Sequence, residues 1–363
     1  MTQMLEELAF FRGKRVLLTG HTGFKGAWMS RVLVGAGAEV TGYSLPAPTD
    51  PALFPLAGLE GRMAHITGDI RDFDALHRAF SRAKPQIVIH MAAQPIVQEG
   101  YRDPRGTYAT NVMGTVNLLE CMRLTSGVRS FLNVTTDKVY RNREQARGYR
   151  EEDPLDGRDP YANSKSCAEL VTHSYCASFF AGGDAPAVST ARAGNVIGGG
   201  DFARDRIMPH CVQAALSGRD IEVRNPGSVR PYQHVLEAVA AYLLILRRQW
   251  EDRSLAGWYN VGPDERDCLT TGDLVDLFIR SWGGGIRRLD RPDPAAPHEA
   301  NLLLLDCALL RRRFGWQPVW DIHEAVVKTC EWTKVWAAGG DVPAEMDRQI
   351  AAFLAAAASK QAE

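Results

Sequence analysis

Tyr161 and Lys165 stand four residues apart, so on a helix they share one face, and a lysine cation beside a phenol would lower the phenol's pKa towards that of a useful base. Thr136, read at the end of a strand, would orient a substrate hydroxyl towards that base. Asp137 and Lys138 follow it directly and add an acid and an amine. The amine can take a proton only when neutral, which needs burial or nearby cations. Taken alone, a Tyr-x-x-x-Lys pair more often decorates an exposed helix face, and Asp137 and Lys138 read as a salt-bridge partner and a solvated charge. A second motif changes that balance. Gly20-His-Thr22-Gly23-Phe24-Lys25-Gly26 follows an apolar run and opens a helical segment, so its backbone can approach a pyrophosphate while helix N–H groups face the negative charge. That is a dinucleotide site.

These residues need a scaffold, and the chain alternates short β-branched runs with longer helical segments from Arg15 onward. The expected fold class is α/β, a doubly wound parallel sheet with a smaller, mixed C-terminal region for substrate. Strands are expected at 14–19, 39–43, 64–67, 87–90, 129–135 and 187–192, with helices near 27–35, 74–81 and 105–124. After Arg192 the glycines 194 and 198–200 and several arginines break the rhythm. The expected division is therefore 1–192 for the cofactor and 193–363 mainly for substrate. Within the second part, 235–262, a helix and a strand at 258–261, are expected to return to the first. Helix 207–217 is expected nearby, then a turn-rich loop at Pro292, Pro294 and Pro297, and an alanine-rich tail, 351–358, as a fraying helix.

The Gly-x-x-Gly-x-x-Gly turn joined to Thr136, Tyr161 and Lys165 resembles the active-site pattern of extended short-chain dehydrogenases/reductases. Within that superfamily, Thr135-Thr136-Asp137-Lys138 resembles the CDP-glucose 4,6-dehydratases, whose dTDP-glucose relatives carry Asp-Glu where Asp137-Lys138 stands. The likeness continues through Ala92-Ala93-Gln94-Pro95, Asp159-Pro-Tyr161, 192–201 and Arg230-Pro-Tyr-Gln-His234-Val. Tyr232 stands where that family has tryptophan. The resemblance implies NAD held by the glycine turn, Ser44, Asp69, Ile70, Ala92, Ala93, Gln94, Tyr161 and Lys165. It implies a nucleotide sugar held by Gln94, Thr136, Asn195, Arg204, Arg206, Arg230 and His234. Tyr161 would take the 4-hydroxyl proton while hydride passes from carbon 4 to NAD, Asp137 would help the carbon 6 hydroxyl leave, and Lys138 would be a candidate to remove the carbon 5 proton. Ser44 replaces the usual acidic ribose ligand and suits NAD or NADP; no arginine follows it, which favours NAD. A sugar-nucleotide 4-epimerase is the alternative, and it has no use for Asp137. A non-catalytic NAD-binding regulator is a further one.

The 42 basic and 43 acidic residues nearly cancel, so nothing points to nucleic acid. The histidines show no metal-ligand spacing and the seven cysteines no zinc-type pairing, so no metal is expected and a reducing cytoplasm is. The first residues lack a secretory pattern, and the most apolar stretch, 235–246, is too short to cross a bilayer. A homodimer is expected through the amphipathic segments 105–124 and 161–180.

Overall fold

The computed structural model describes residues 3–292 and 300–362. Among the described residues twelve strands are formed: β1 (Arg15–Thr19), β2 (Glu39–Ser44), β3 (Ala64–Thr67), β4 (Ile87–His90), β5 (Ser130–Val134), β6 (Ala187–Ala193), β7 (Asn195–Ile197), β8 (Ile221–Val223), β9 (Val229–His234), β10 (Trp258–Val261), β11 (Cys268–Thr270) and β12 (Arg288–Asp290). Seven of them make one sheet in the order β10-β6-β5-β4-β1-β2-β3, every neighbouring pair parallel. A parallel sheet is covered by its crossover helices on both faces, and so β4, β5 and β6 are buried at every position. On one face Val16, Trp28, Leu33, Ile89 and Leu132 pack with Val239, Leu243 and Leu246 of the Val235–Glu251 helix. On the other, Leu17, Phe80, Val88, Leu118 and Phe131 form a second core.

The chain order reverses between β1 and β4, which lie side by side, and such a switch point opens a crevice at the strands' C-terminal ends. Over that end sit a three-stranded sheet, β11-β9-β7, and a two-stranded one, β12-β8. Met208, Val212, Leu274, Phe278 and Val326 share a separate core there.

The helix expected at 105–124 is interrupted. Pro104–Tyr108 and Gly114–Leu124 are α-helical, but Ala109–Met113 is a π-turn, a local widening often found at functional sites. The alanine-rich tail does not fray within the described residues. It belongs to a helix from Val342 to Ala362 that buries Met346, Phe353 and Ala357 against the main core, and burial holds what weak end propensity would not. Pro294 and Pro297 lie outside the described residues, while Pro292 stands two residues after the end of β12. Among the described residues no helix is long and apolar enough to cross a membrane.

Candidate active site

The crevice is a cavity of about 940 Å³ lined by the glycine turn, by Ser44, Asp69, Ile70, Ala92 and Ala93 at strand ends, and by Tyr161, Lys165, Arg204 and Arg206. Its floor is bare backbone for two reasons. Gly20 has φ +77°, and a Cβ there would meet the Ala92 amide nitrogen at 2.6 Å; a Cβ on Gly26 would drive into the Gly20 carbonyl. The Phe24–Gly35 helix begins at Gly23 with no side-chain cap, which leaves its first N–H groups for an anionic ligand. These features fit a dinucleotide pyrophosphate. Ser44 Oγ meets Thr22 Oγ1 at 2.8 Å, and Thr22 also donates to the Leu45 carbonyl, so the end of β2 is tied to the turn.

Asp159 caps the Pro160–Phe179 helix by accepting from the Ala162 amide at 3.0 Å, and this start sets Tyr161 and Lys165 facing the strand ends. Thr136 follows β5 and opens the short Asp137–Val139 turn. Thr136 Oγ1 donates to Asp137 Oδ1 at 3.0 Å. Lys138 Nζ donates to the same oxygen at 3.1 Å and to Asn195 Oδ1 at 3.0 Å. Thus four of the expected residues, Thr136, Asp137, Lys138 and Asn195, form one connected group. Thr136, Asp137 and Lys138 are not among the residues that line this cavity, although Thr135, Tyr161 and Lys165 beside them are.

The expected effect of Lys165 on the phenol is not what the structure shows. Lys165 Nζ donates to the Val134 carbonyl at 3.1 Å. Burial pushes Tyr161 up to about 12; the Thr136 hydrogen bond and the Arg206 cation work against that rise, and Lys165 is not among the principal influences. Burial pushes Lys165 itself down to about 8, with Glu169, one turn along the same helix, holding it up. Lys25 is pushed to about 7 by burial and then by the Arg206 and Lys165 cations.

Other residues fall elsewhere. The Arg230 guanidinium donates to the carbonyls of Val229 and Ala300 and is buried away from the cavity. His234 is fully buried, caps the Val235–Glu251 helix through the Leu236 amide, and lies edge-on to Trp28 and Trp320; burial pushes it down to about 3. The Gln94 side chain bonds Thr107 and the Ile96 amide and so shapes the loop after β4. Arg204 and Arg206 do line the cavity, and Arg206 pairs with Asp201 at 3.1 Å.

Two residues went unread in the sequence. Asn111, in the π-turn, accepts from the Gln94 amide and donates to Ser164, linking the loop after β4 to the helix between Tyr161 and Lys165. Glu169 is fully buried and accepts from Thr135, Thr190 and Arg192. Its place four residues after Lys165 was the one available signal.

Residues 17–329 match the family described as GDP-mannose 4,6 dehydratase. The chain belongs to that family. It is 42% identical over 353 residues to a CDP-glucose 4,6-dehydratase of Salmonella typhimurium, covering 96% of this chain and 98% of that one. Similarity to a dTDP-glucose 4,6-dehydratase of Streptomyces antibioticus is lower, 30% over 331 residues, covering 87% and 91%. Among solved structures, a UDP-glucose 4-epimerase of Thermus thermophilus in complex with NAD superposes with a TM-score of 0.77 at 26% identity, over 88% of this chain and 98% of that one. A dTDP-glucose 4,6-dehydratase of Streptomyces venezuelae shares the fold, with a TM-score of 0.76 at 23% identity over 90% and 98% of the two chains. Membership places the Thr136, Asp137 and Lys138 group inside a family of nucleotide-sugar dehydratases.

Proposed function

We propose that the chain is an NAD-dependent hydro-lyase that converts CDP-D-glucose to CDP-4-keto-6-deoxy-D-glucose. The observation that carries this reading is Asp137, hydrogen-bonded between Thr136 and Lys138 beside the Tyr161 phenol, because a 4-epimerase needs no such second acid-base pair. The relative that covers nearly the whole chain at 42% identity supports the cytidine nucleotide. NAD fits the bare glycine turn, and neither Leu45 nor Pro46 after Ser44 brings a cation for a ribose 2′-phosphate. When bound, the nicotinamide stores a hydride between carbon 4 and carbon 6. Tyr161 takes the proton of the 4-hydroxyl, Lys138 takes the proton of carbon 5 that the new ketone has made acidic, and Asp137 protonates the departing 6-hydroxyl. Arg204 and Arg206 are suited to the sugar nucleotide's diphosphate. Residues 1–192 with 235–262 serve the cofactor, and the rest of 193–363 mainly the substrate.

Incubation with NAD and a panel of CDP-, dTDP-, GDP- and UDP-sugars, followed by mass, tests the reading. Loss of water from the CDP-sugar is expected; loss only from a GDP- or UDP-sugar would overturn the nucleotide assignment.

A homodimer is part of this proposal. Met113 and Leu124 on one helical segment and Leu170 and Phe179 on another are each about half exposed, an apolar surface that a second copy would cover. Seven free thiols suit a reducing cytoplasm.

A further inference from the structure

Thr22 Oγ1 lies 3.0 Å from the Leu45 carbonyl oxygen and 2.8 Å from Ser44 Oγ. A carbonyl has no proton to give, so the one hydroxyl proton of Thr22 fills the first of these bonds. The second bond can then be filled only by the proton of Ser44. Ser44 therefore donates to Thr22, and what its oxygen offers any further group is lone pairs. The Leu45 carbonyl thus sets one direction for the whole chain of bonds, from Ser44 through Thr22 to Leu45.

That direction matters because of where Ser44 stands. It ends β2 and lines the cavity together with Thr22. It also lies about 20 residues beyond the glycine turn, the place at which a dinucleotide-binding βαβ unit meets the adenosine ribose. A ribose 2′-hydroxyl has a proton to donate to the Ser44 oxygen. A 2′-phosphate has only acceptor oxygens and negative charge, and it would meet those lone pairs with no proton between them. The neighbouring strand end works in the same sense. The Gly68 amide donates to the Ser44 carbonyl at 2.9 Å, and Asp69 beside it adds a carboxylate to the cavity wall. Arg71, the first cation after β3, is held on that carboxylate by Nε at 2.9 Å and Nη2 at 2.6 Å and is not among the residues that line the cavity. We propose that Thr22, by committing the Ser44 proton, makes Ser44 an acceptor-only ribose ligand and so selects NAD against NADP. The serine does without charge what an acidic side chain does at this place. The inference rests on the NAD reading of the cofactor and is independent of which nucleotide sugar is dehydrated.

Thr22→Val keeps the side chain's shape and removes the acceptor of the Ser44 proton, which is then free to turn to a phosphate. Thr22→Ser keeps the hydroxyl, and Ser44→Ala removes the ribose acceptor. Each purified protein is equilibrated with equal concentrations of NAD and NADP and freed of unbound nucleotide, and the ratio of the two that it retains is read by mass. Wild type is expected to retain NAD. Thr22→Val should shift the ratio about 10-fold towards NADP through tighter NADP binding, the effect of one hydrogen bond to a charged group. Ser44→Ala should shift it about 10-fold through weaker NAD binding, with NADP binding unchanged. Thr22→Ser should keep the wild-type ratio. Separate titrations with each nucleotide distinguish the two kinds of shift, and thermal melts check that the variants fold. The proposal is overturned if Thr22→Val leaves the ratio unchanged, if Thr22→Ser shifts it as far as Thr22→Val does, or if Ser44→Ala binds NAD as tightly as wild type. A wild type that retains NADP in preference to NAD would overturn the cofactor reading itself, a result seen before any variant is compared.

Discussion

Lys138 Nζ reaches Asn195 Oδ1 at 3.0 Å across 57 residues of sequence, so β7 positions the amine that follows β5. Its second bond, to Asp137 Oδ1 at 3.1 Å, fixes the Nζ from the other side. Lys138→Ala is therefore expected to slow deuterium incorporation at carbon 5 about 100-fold and let bound NADH build up. Lys138→Glu should recover some elimination by supplying a carboxylate at the same place. Unchanged incorporation in Lys138→Ala would exclude the lysine as the base.

Tyr161→Phe removes the proton acceptor and keeps the ring. Turnover should fall by about 100- to 10,000-fold while NAD and sugar-nucleotide binding persist, which equilibrium titration of the variant would show. Wild-type-like turnover would remove Tyr161 from the chemistry.

The parallel sheet and the glycine turn were legible because their signals are local: β-branched runs of strand length, and glycines where a Cβ would strike the Ala92 or Gly20 backbone. The partnership of Tyr161 and Lys165 was legible as shared helix face but not as electrostatics. Which acceptor Lys165 chooses depends on the Val134 carbonyl, 31 residues away. Asn111 lay hidden for a related reason, since a π-turn inside an apolar helix has no periodicity of its own and is set by bonds to Gln94 and Ser164. His234 matched a motif, yet its surroundings are two tryptophans and a helix start, which only packing reveals.

The dimer proposal predicts that charge on the exposed apolar helix faces separates the subunits. Leu170→Glu, about half exposed in the chain alone, should give a monomer by light scattering with unchanged helix content. A monomeric wild type at working concentration would refute the dimer outright.

The Glu169 carboxylate offers a prediction in pH. Burial opposes its charge, but the Arg192 cation, the nearby His173 ring, and hydrogen bonds from Arg192 and Thr135 hold it down at about 2, so it is an anion throughout the neutral range. Its ordinary value is 4.5, and a depressed acid contributes stability above that value which is lost as pH falls towards 2. The same anion favours the charged form of Lys165. The other titratable groups facing that lysine are Lys25, from the helix after β1, and His90 on β4, which burial keeps neutral at about 3. Glu169→Gln should therefore lower Lys165 further below about 8, and the alkaline limb of kcat/KM should move to lower pH by about one unit or more. The variant also strands Arg192, at a cost of about 3–5 kcal/mol. Replacing both partners, Glu169→Gln with Arg192→Met, removes the stranded charge and should recover much of the stability while the limb stays displaced. A limb that returns with the stability would mean that Glu169 acts only by holding the fold, and a limb that never moves would mean that Lys165 does not govern it.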